Sequence, residues 1–335
     1  MRRKHSTRTK GVITVELTDV AEQVRANWND PDWWRHVASP FAIQTAILSP
    51  YFRYIDPSEG VDFMAEDWDN LIILDACRYD LFAEVYEGPG RLETRRSIGS
   101  NTPEFLTRTF DGRTFEDTVY VTANPQVNVH TEGAFHAVVN AWESAWDEEL
   151  NTVPPDAMAD ATLEAYERFP DKRLISHFVQ PHYPFVGEYA REHLGDQAGI
   201  EFSKRLASED DRPTEHDHIW LRLRAGRVDE DVVRRAYREN LEVTVPHVHR
   251  LLETFAEPTV VTSDHGNSFG TRATPFRIPI WGHPPGVYIP ELVTVPWLEV
   301  EGTRRKDVTA DPPTESYRTD EETVDDRLRH LGYVS

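Results

Sequence analysis

Two carboxylates and an imidazole stand where apolar runs break off. In VVTSDHGNSFG, residues 260–270, Val260, Val261 and Thr262 lead straight into Ser263, Asp264, His265 and Gly266. In LIILD, residues 71–75, an aliphatic run ends on Asp75. Asp75, Asp264 and His265 form a donor set suited to a divalent cation such as Mn²⁺, Zn²⁺, Mg²⁺ or Ca²⁺. A neighbouring Ser or Thr hydroxyl would complete such a site, because coordination lowers the hydroxyl pKa until it acts as a nucleophile near neutral pH. Hydroxyls of this kind lie in GSNTPE, residues 99–104, which reads as a helix start. Backbone N–H groups and the helix dipole at such a start favour an anionic phosphoryl or sulfuryl group. Gly266 allows a tight bend beside the metal, and His182 follows the strand-like LISHFVQP.

These residues need a scaffold that gathers strand ends. LIILD is apolar throughout, the pattern of a strand buried on both faces of a parallel sheet. RLETRRSI (91–98), DTVYVTANP (117–125), LISHFVQPHYPF (174–185) and residues 258–264 read as further strands. Helices are expected in LFAEVYEG, after Thr102 as N-cap, around 134–147, over 156–168 and over 228–256, where Pro246 should kink the last or divide it in two. Alternation of strands and helices predicts an α/β three-layer sandwich with a mostly parallel central sheet flanked by helices. Chemistry then gathers at the carboxyl ends of the strands. Residues 1–66 read as a peripheral helical appendage, 67–299 as the catalytic domain and 300–335 as a charged, loosely held C-terminal wrap. The tryptophan-rich WNDPDWWRHV in the appendage would pack on the main body or face a membrane or partner. Residues 186–225 look like a polar insertion.

Composition narrows the function. The 335 residues carry 58 Asp+Glu against 36 Lys+Arg, a net charge of −22, and the only lysines are Lys4, Lys10, Lys172, Lys204 and Lys306. Dense carboxylate with arginine in place of lysine is what a high-salt cytoplasm favours, and predicts a halophilic, haloarchaeal source. Without a basic stripe, nucleic acid is not an expected partner. Cys77 is the single cysteine, so no intramolecular disulfide or cysteine-rich zinc site can form. No apolar run approaches the ~18 residues of a transmembrane segment, and the start lacks a secretory h-region. A soluble, cytoplasmic protein is therefore expected, its oligomeric state open.

LIILDACRYD, GSNTPEF, QPHYPF and TSDHGNSFG followed by WGHPP occur in that order over residues 67–290. Together they resemble the ordered motifs of the alkaline phosphatase superfamily, on its sulfatase-like branch. The resemblance implies that Asp75, Asp264 and His265 bind the catalytic metal together with the nucleophile's oxygen. It implies that His182 and His283 line the pocket, contacting the transferred group or protonating the leaving group, and that Arg78 neutralises a substrate oxygen. The sequence departs from the sulfatase pattern at the nucleophile. Sulfatases of this superfamily carry Cys or Ser in C-x-P-x-R for conversion to formylglycine, whereas Cys77 reads Cys77-Arg78-Tyr79-Asp80-Leu81. Alignment on Pro103 puts Asn101 at the nucleophile position. The competent neighbours are Thr102, expected first, and Ser100, second. Asn267 stands where relatives often have glutamate, which weakens the case for a second metal.

Each residue also has a plain structural alternative. Asp75 caps a helix, Asp264-His265 forms a hydrogen-bonded turn, Thr102 is an N-cap and His182 packs a proline-rich loop. His177 reads as a core histidine, His216 and His218 as part of an acidic loop, and Cys77 as a small buried residue. The function expected is metal-dependent hydrolysis or transfer on phosphate or sulfate esters, sugar- or lipid-linked alcohols included. The alternatives are a formylglycine-independent sulfatase and an inactive sulfatase-like scaffold.

Overall fold

The computed structural model describes residues 24–25, 27–57, 59–194, 219–314 and 321–331. The basic start 1–10 and the His216/His218 pair lie outside the described residues.

β1 (Asn70–Leu74) shows why the sheet is sandwiched. Ile72 and Leu74 enter one apolar cluster, with Phe82, Met158, Leu241 and Leu251, while Leu71 and Ile73 enter another, with Phe63, Phe105, Leu106 and Trp297. Alternate side chains of one strand thus fill two cores, which requires helices on both faces. The other strands are β2 (Arg91–Arg96), β3 (Phe115–Thr122), β4 (Phe135–Asn140), β5 (Arg173–Phe178) and β6 (Thr259–Thr262), then β7 (Ser268–Ala273), β8 (Ile278–Gly282) and β9 (Thr294–Val300). Seven form one sheet in the order β2-β9-β6-β1-β5-β3-β4, and β7-β8 is a separate hairpin. From β6 to β4 every pairing is parallel, while β9 runs antiparallel to both β6 and β2. The fold is the expected α/β sandwich.

The helices that matter for the site are α1 (Tyr79–Val85), α2 (Thr102–Phe110), α3 (Pro155–Arg168), α4 (Glu188–Leu194), α5 (Ile219–Arg224) and α6 (Glu230–Thr254). Two helix expectations are corrected. The region 134–147 is not mainly helical: Phe135–Asn140 is β4, and only Ala141–Ser144 is helix. Val138 and Val139 suit a pleated surface, and β3 beside them offers a ladder to join. Pro246 does not divide the 228–256 helix, because α6 continues through it. Leu241 and Val245 before it and Val248 and Leu251 after it lie in one apolar cluster, so packing carries the helix past the lost bond. The insertion 186–225 contributes α4 and α5, whose Ala190, Leu194, Ile219, Trp220 and Leu223 are buried beside α6.

Residues 301–314 of the wrap are not loosely held. Backbone amides of Thr303, Thr309, Asp311 and Thr314 donate to carbonyls of Ala256, Asp171, Glu116 and His136, and the Lys306 amide to Asp69 Oδ2. These acceptors lie at the starts of β6, β5, β3, β4 and β1, so the irregular segment crosses the sheet edge opposite the carboxyl ends. The N-terminal appendage is helical from Pro31 to Tyr54, alternating α- and π-helical turns. Among the described residues no helix is long and apolar enough to cross a membrane.

Candidate active site

β1 and β6 are neighbours, so their carboxyl ends deliver Asp75 and Asp264 to one point. The chain leaves β1 through Ala76 in the left-handed region, φ 58°, which costs an L-residue about 1–2 kcal/mol. That turn aims the Ala76 amide at Asp264 Oδ1, 3.1 Å away, and the His265 amide reaches the same oxygen at 2.9 Å. Oδ2 of Asp264 is left facing the site. Asn124, at the end of β3, donates to Asp75 Oδ2 at 3.0 Å. His265 donates from Nδ1 to the Gly266 carbonyl at 2.8 Å, so Nε2 is the ring nitrogen that faces the carboxylates, a donor to them when protonated and a ligand when a cation lies between. Nε2 lies 3.4 Å from Asp75 Oδ1 and 3.5 Å from Asp264 Oδ2.

Thr102 completes the group. Its hydroxyl oxygen is 2.7 Å from Asp264 Oδ2, 3.2 Å from His265 Nε2 and 3.4 Å from both oxygens of Asp75. The N-cap of α2 is Asn101, whose Oδ1 accepts from the Glu104 amide at 2.9 Å; Thr102 is the first helical residue. Thr102 is therefore not the cap, and Asn101 at the motif's nucleophile position has a capping task. The helix start offers an anion less than expected: Pro103 has no N–H, and the Glu104 and Phe105 amides are taken by Asn101.

One ligand atom each from Asp75, Asp264 and His265 lies within 4.8 Å of the others. All three residues and Thr102 are fully buried. Two fully buried carboxylates this close need a compensating positive charge. Protonated His265 can serve in part: burial lowers its pKa, but Asp264 and Asp75 outweigh that and raise it to about 9. Burial likewise pushes the Asp75 pKa up, yet His182, His265 and His177 bring it below the ordinary carboxylate value. The donor set and its charge fit a divalent cation.

His182 and His283 sit above the group. His182 Nδ1 donates to the Tyr183 carbonyl, and His283 Nδ1 to Asn267 Oδ1 at 2.8 Å, which leaves the two Nε2 atoms facing each other at 3.4 Å. Burial lowers the His182 pKa. The His265 and His283 ring centroids are 4.7 Å apart, and His283 reaches the surface. Two predicted residues lie off the group. The Ser100 hydroxyl sits 2.9 Å from Glu104 Oε2 and 3.0 Å from the Pro284 carbonyl, holding the loop after His283. The Arg78 guanidinium is bonded to Asp80 and to the Asn267 carbonyl and lines a surface groove with Arg234, Arg238 and Phe269.

Sequence reasoning missed three contributors. Asn124 stands at a strand end and meets the criterion that found Asp75. Asn267 orients His283. Glu104 joins the start of α2 to the 283–288 loop, through Ser100 and the Tyr288 hydroxyl. His177, read as a core residue, is buried with Nδ1 at 2.9 Å from the Tyr120 hydroxyl and Nε2 at 3.9 Å from Asp264 Oδ2.

No family model matches the chain, and no curated protein matches it. Among solved structures it is similar to the soluble domain of lipooligosaccharide phosphoethanolamine transferase A from Neisseria meningitidis, at 13% identity and a TM-score of 0.43, over 68% of this chain and 75% of that one. It is similar to a phosphonate monoester hydrolase from Silicibacter pomeroyi, at 12% identity and a TM-score of 0.38, over 78% and 72% of the two chains. A 2-O GAG sulfatase matches at 11% identity and a TM-score of 0.40, over 79% and 70%.

Proposed function

We propose that this chain is a metal-assisted hydrolase or transferase of phosphate or sulfate esters, of the sulfatase-like kind, with Thr102 as nucleophile. The observation that carries the proposal is the position of the Thr102 hydroxyl, within 3.4 Å of Asp75, Asp264 and His265 at once. Those three residues would hold a divalent cation, which supplies charge neutralisation and a lowered hydroxyl pKa. Asp264 Oδ2 already accepts the Thr102 proton. The Thr102 oxygen attacks the phosphorus or sulfur, the bond to the departing alcohol breaks, and an ester forms on Thr102. The facing Nε2 atoms of His182 and His283 can share one proton and pass it to the departing oxygen. Water or an acceptor alcohol then attacks the ester on Thr102, giving hydrolysis or transfer. An unmodified hydroxyl supports phosphoryl chemistry over the formylglycine route to sulfate.

The test is metal content alongside turnover of nitrophenyl phosphate, phosphodiester and sulfate esters. Asp264→Ala should lose both metal and turnover. Thr102→Ala should lower kcat by ~10³-fold or more while still retaining metal. Turnover surviving Thr102→Ala would reject Thr102 as nucleophile. A wild-type protein with neither metal nor turnover would reject the enzyme in favour of a scaffold.

A further inference from the structure

The N-terminal helical segment has two apolar faces. One is spent on the body: Leu48 and Phe52 pack with Ile280, Val287 and Tyr288. Gln44 Nε2 and Ser49 Oγ bond the Pro285 carbonyl at 3.1 and 3.2 Å, two residues past His283. Arg224 Nη1 of α5 bonds the His36 carbonyl at 2.9 Å. The other face meets solvent: Trp34 is 41% exposed, Phe41 46%, Ile47 40% and Tyr54 72%, with Trp28 and Ile55 at its ends exposed as well. Trp34, Phe41, Ile47 and Tyr54 are all exposed along a segment whose Trp33, Leu48 and Phe52 are buried.

We propose that this face docks on the surface of an anionic lipid bilayer. Residue type is the first argument. Trp and Tyr have an apolar body and a polar tip, which suits the boundary between headgroups and acyl chains. Arg53 lies with its guanidinium 5.5 Å from the Tyr54 ring centroid, an arrangement fit for the headgroup layer. Charge is the second. The described residues of 24–55 carry three arginines against two aspartates, while residues 56–335 carry 28 Lys and Arg against 53 Asp and Glu. An anionic surface therefore accepts this segment and repels the remainder, which fixes orientation. The same imbalance opposes covering the face with a second copy, whose bulk is equally acidic. Because the segment grips the loop that carries His283, docking would bring the site's surface-reaching histidine close to the bilayer. The proposal does not depend on the chemistry assigned to the site.

The test uses the full chain and sedimentation with vesicles of phosphatidylglycerol and phosphatidylcholine in equal parts, with pure phosphatidylcholine vesicles as the comparison. Wild type should sediment with the anionic vesicles and more weakly with the neutral ones. The double variant Trp34→Ser/Phe41→Ser should bind ~10-fold or more weakly, since two rings leave the interface. Its unfolding midpoint should fall only slightly, since the half-exposed Trp34 gives up one exposed hydrogen bond, to the Trp28 carbonyl, and an edge contact with Trp33. Arg35→Glu with Arg53→Glu should also weaken binding to anionic vesicles. The proposal is overturned if wild type does not sediment, if the double variant binds as wild type, or if wild type is a dimer that the double variant dissociates.

Discussion

A carbonyl oxygen occupies the place where a side chain at Gly266 would begin. A Cβ built there would lie 2.2 Å from the Glu291 carbonyl and 3.2 Å from Arg78 Cγ. The glycine is therefore required by close approach, and its φ is outside the left-handed region, unlike the tight bend expected from sequence. Its own carbonyl fixes the His265 ring, and its amide bonds the Leu292 carbonyl at 2.8 Å. Gly266→Ala must push the 290–293 turn away and tilt His265 with it. We expect metal affinity to fall ~10–100-fold, the range for a lost orienting contact, with a midpoint shift of ~1–3 kcal/mol. Calorimetric metal titration of the folded variant checks this, and unchanged affinity would refute the coupling. At this scale Asp75, Asp264, His265 and Thr102 were legible, because chemistry at strand ends leaves polar residues after apolar runs. Asn124 obeys the same rule, but it falls inside DTVYVTANP, a stretch whose pattern reads simply as strand. The pairing of Glu104 with Tyr288 spans 184 residues and leaves no local trace.

Elements were legible where the pattern is local. β1, β3, β5 and β6 are buried runs with plain boundaries, and their parallel order follows from the helices between them. β9 was overlooked, and Pro296 explains why: a proline inside TVPWLEV argues against a strand that lies between two others. The structure accommodates it, with Pro296 opposite Thr94 of β2 and its carbonyl accepting from Thr262 Oγ1 at 2.7 Å. Pro246 shows the opposite case: a proline rule predicts a kink or a break, but the apolar stripe of α6 runs on past it. Pro246 is exposed, so no packing depends on its ring. Pro246→Ala restores a backbone donor and should stabilise the protein by ~1–3 kcal/mol, read as a higher denaturant midpoint. A lower midpoint would mean that α6 needs the proline's geometry to follow the sheet.

The sheet is bounded at both ends, by the site at the carboxyl ends and by the 301–314 segment across the opposite edge. Lys306 is the seal's most telling group. Its Nζ donates to the Lys172 carbonyl at 2.8 Å and lies 5.0 Å from the Tyr166 ring centroid, while its amide bonds Asp69. Burial lowers its pKa from 10.5 to about 8, with Glu257 and Asp69 opposing the shift only in part. Below about pH 8 the lysine is charged whether folded or unfolded, and the folded state carries the full desolvation cost. Between about 8 and 10.5 the unfolded chain holds the proton and the folded one does not, so this group makes stability rise with pH. The slope from one such group is ~1.4 kcal/mol per pH unit at most. Lys306→Met has no proton to exchange and should lack that rise. The difference in unfolding free energy between wild type and Lys306→Met should therefore move in favour of wild type as pH climbs through this window. Were the segment loosely held, Lys306 would be solvated and titrate at its ordinary value in both states. The two pH profiles would then run parallel, and the seal across the sheet edge would be refuted along with them.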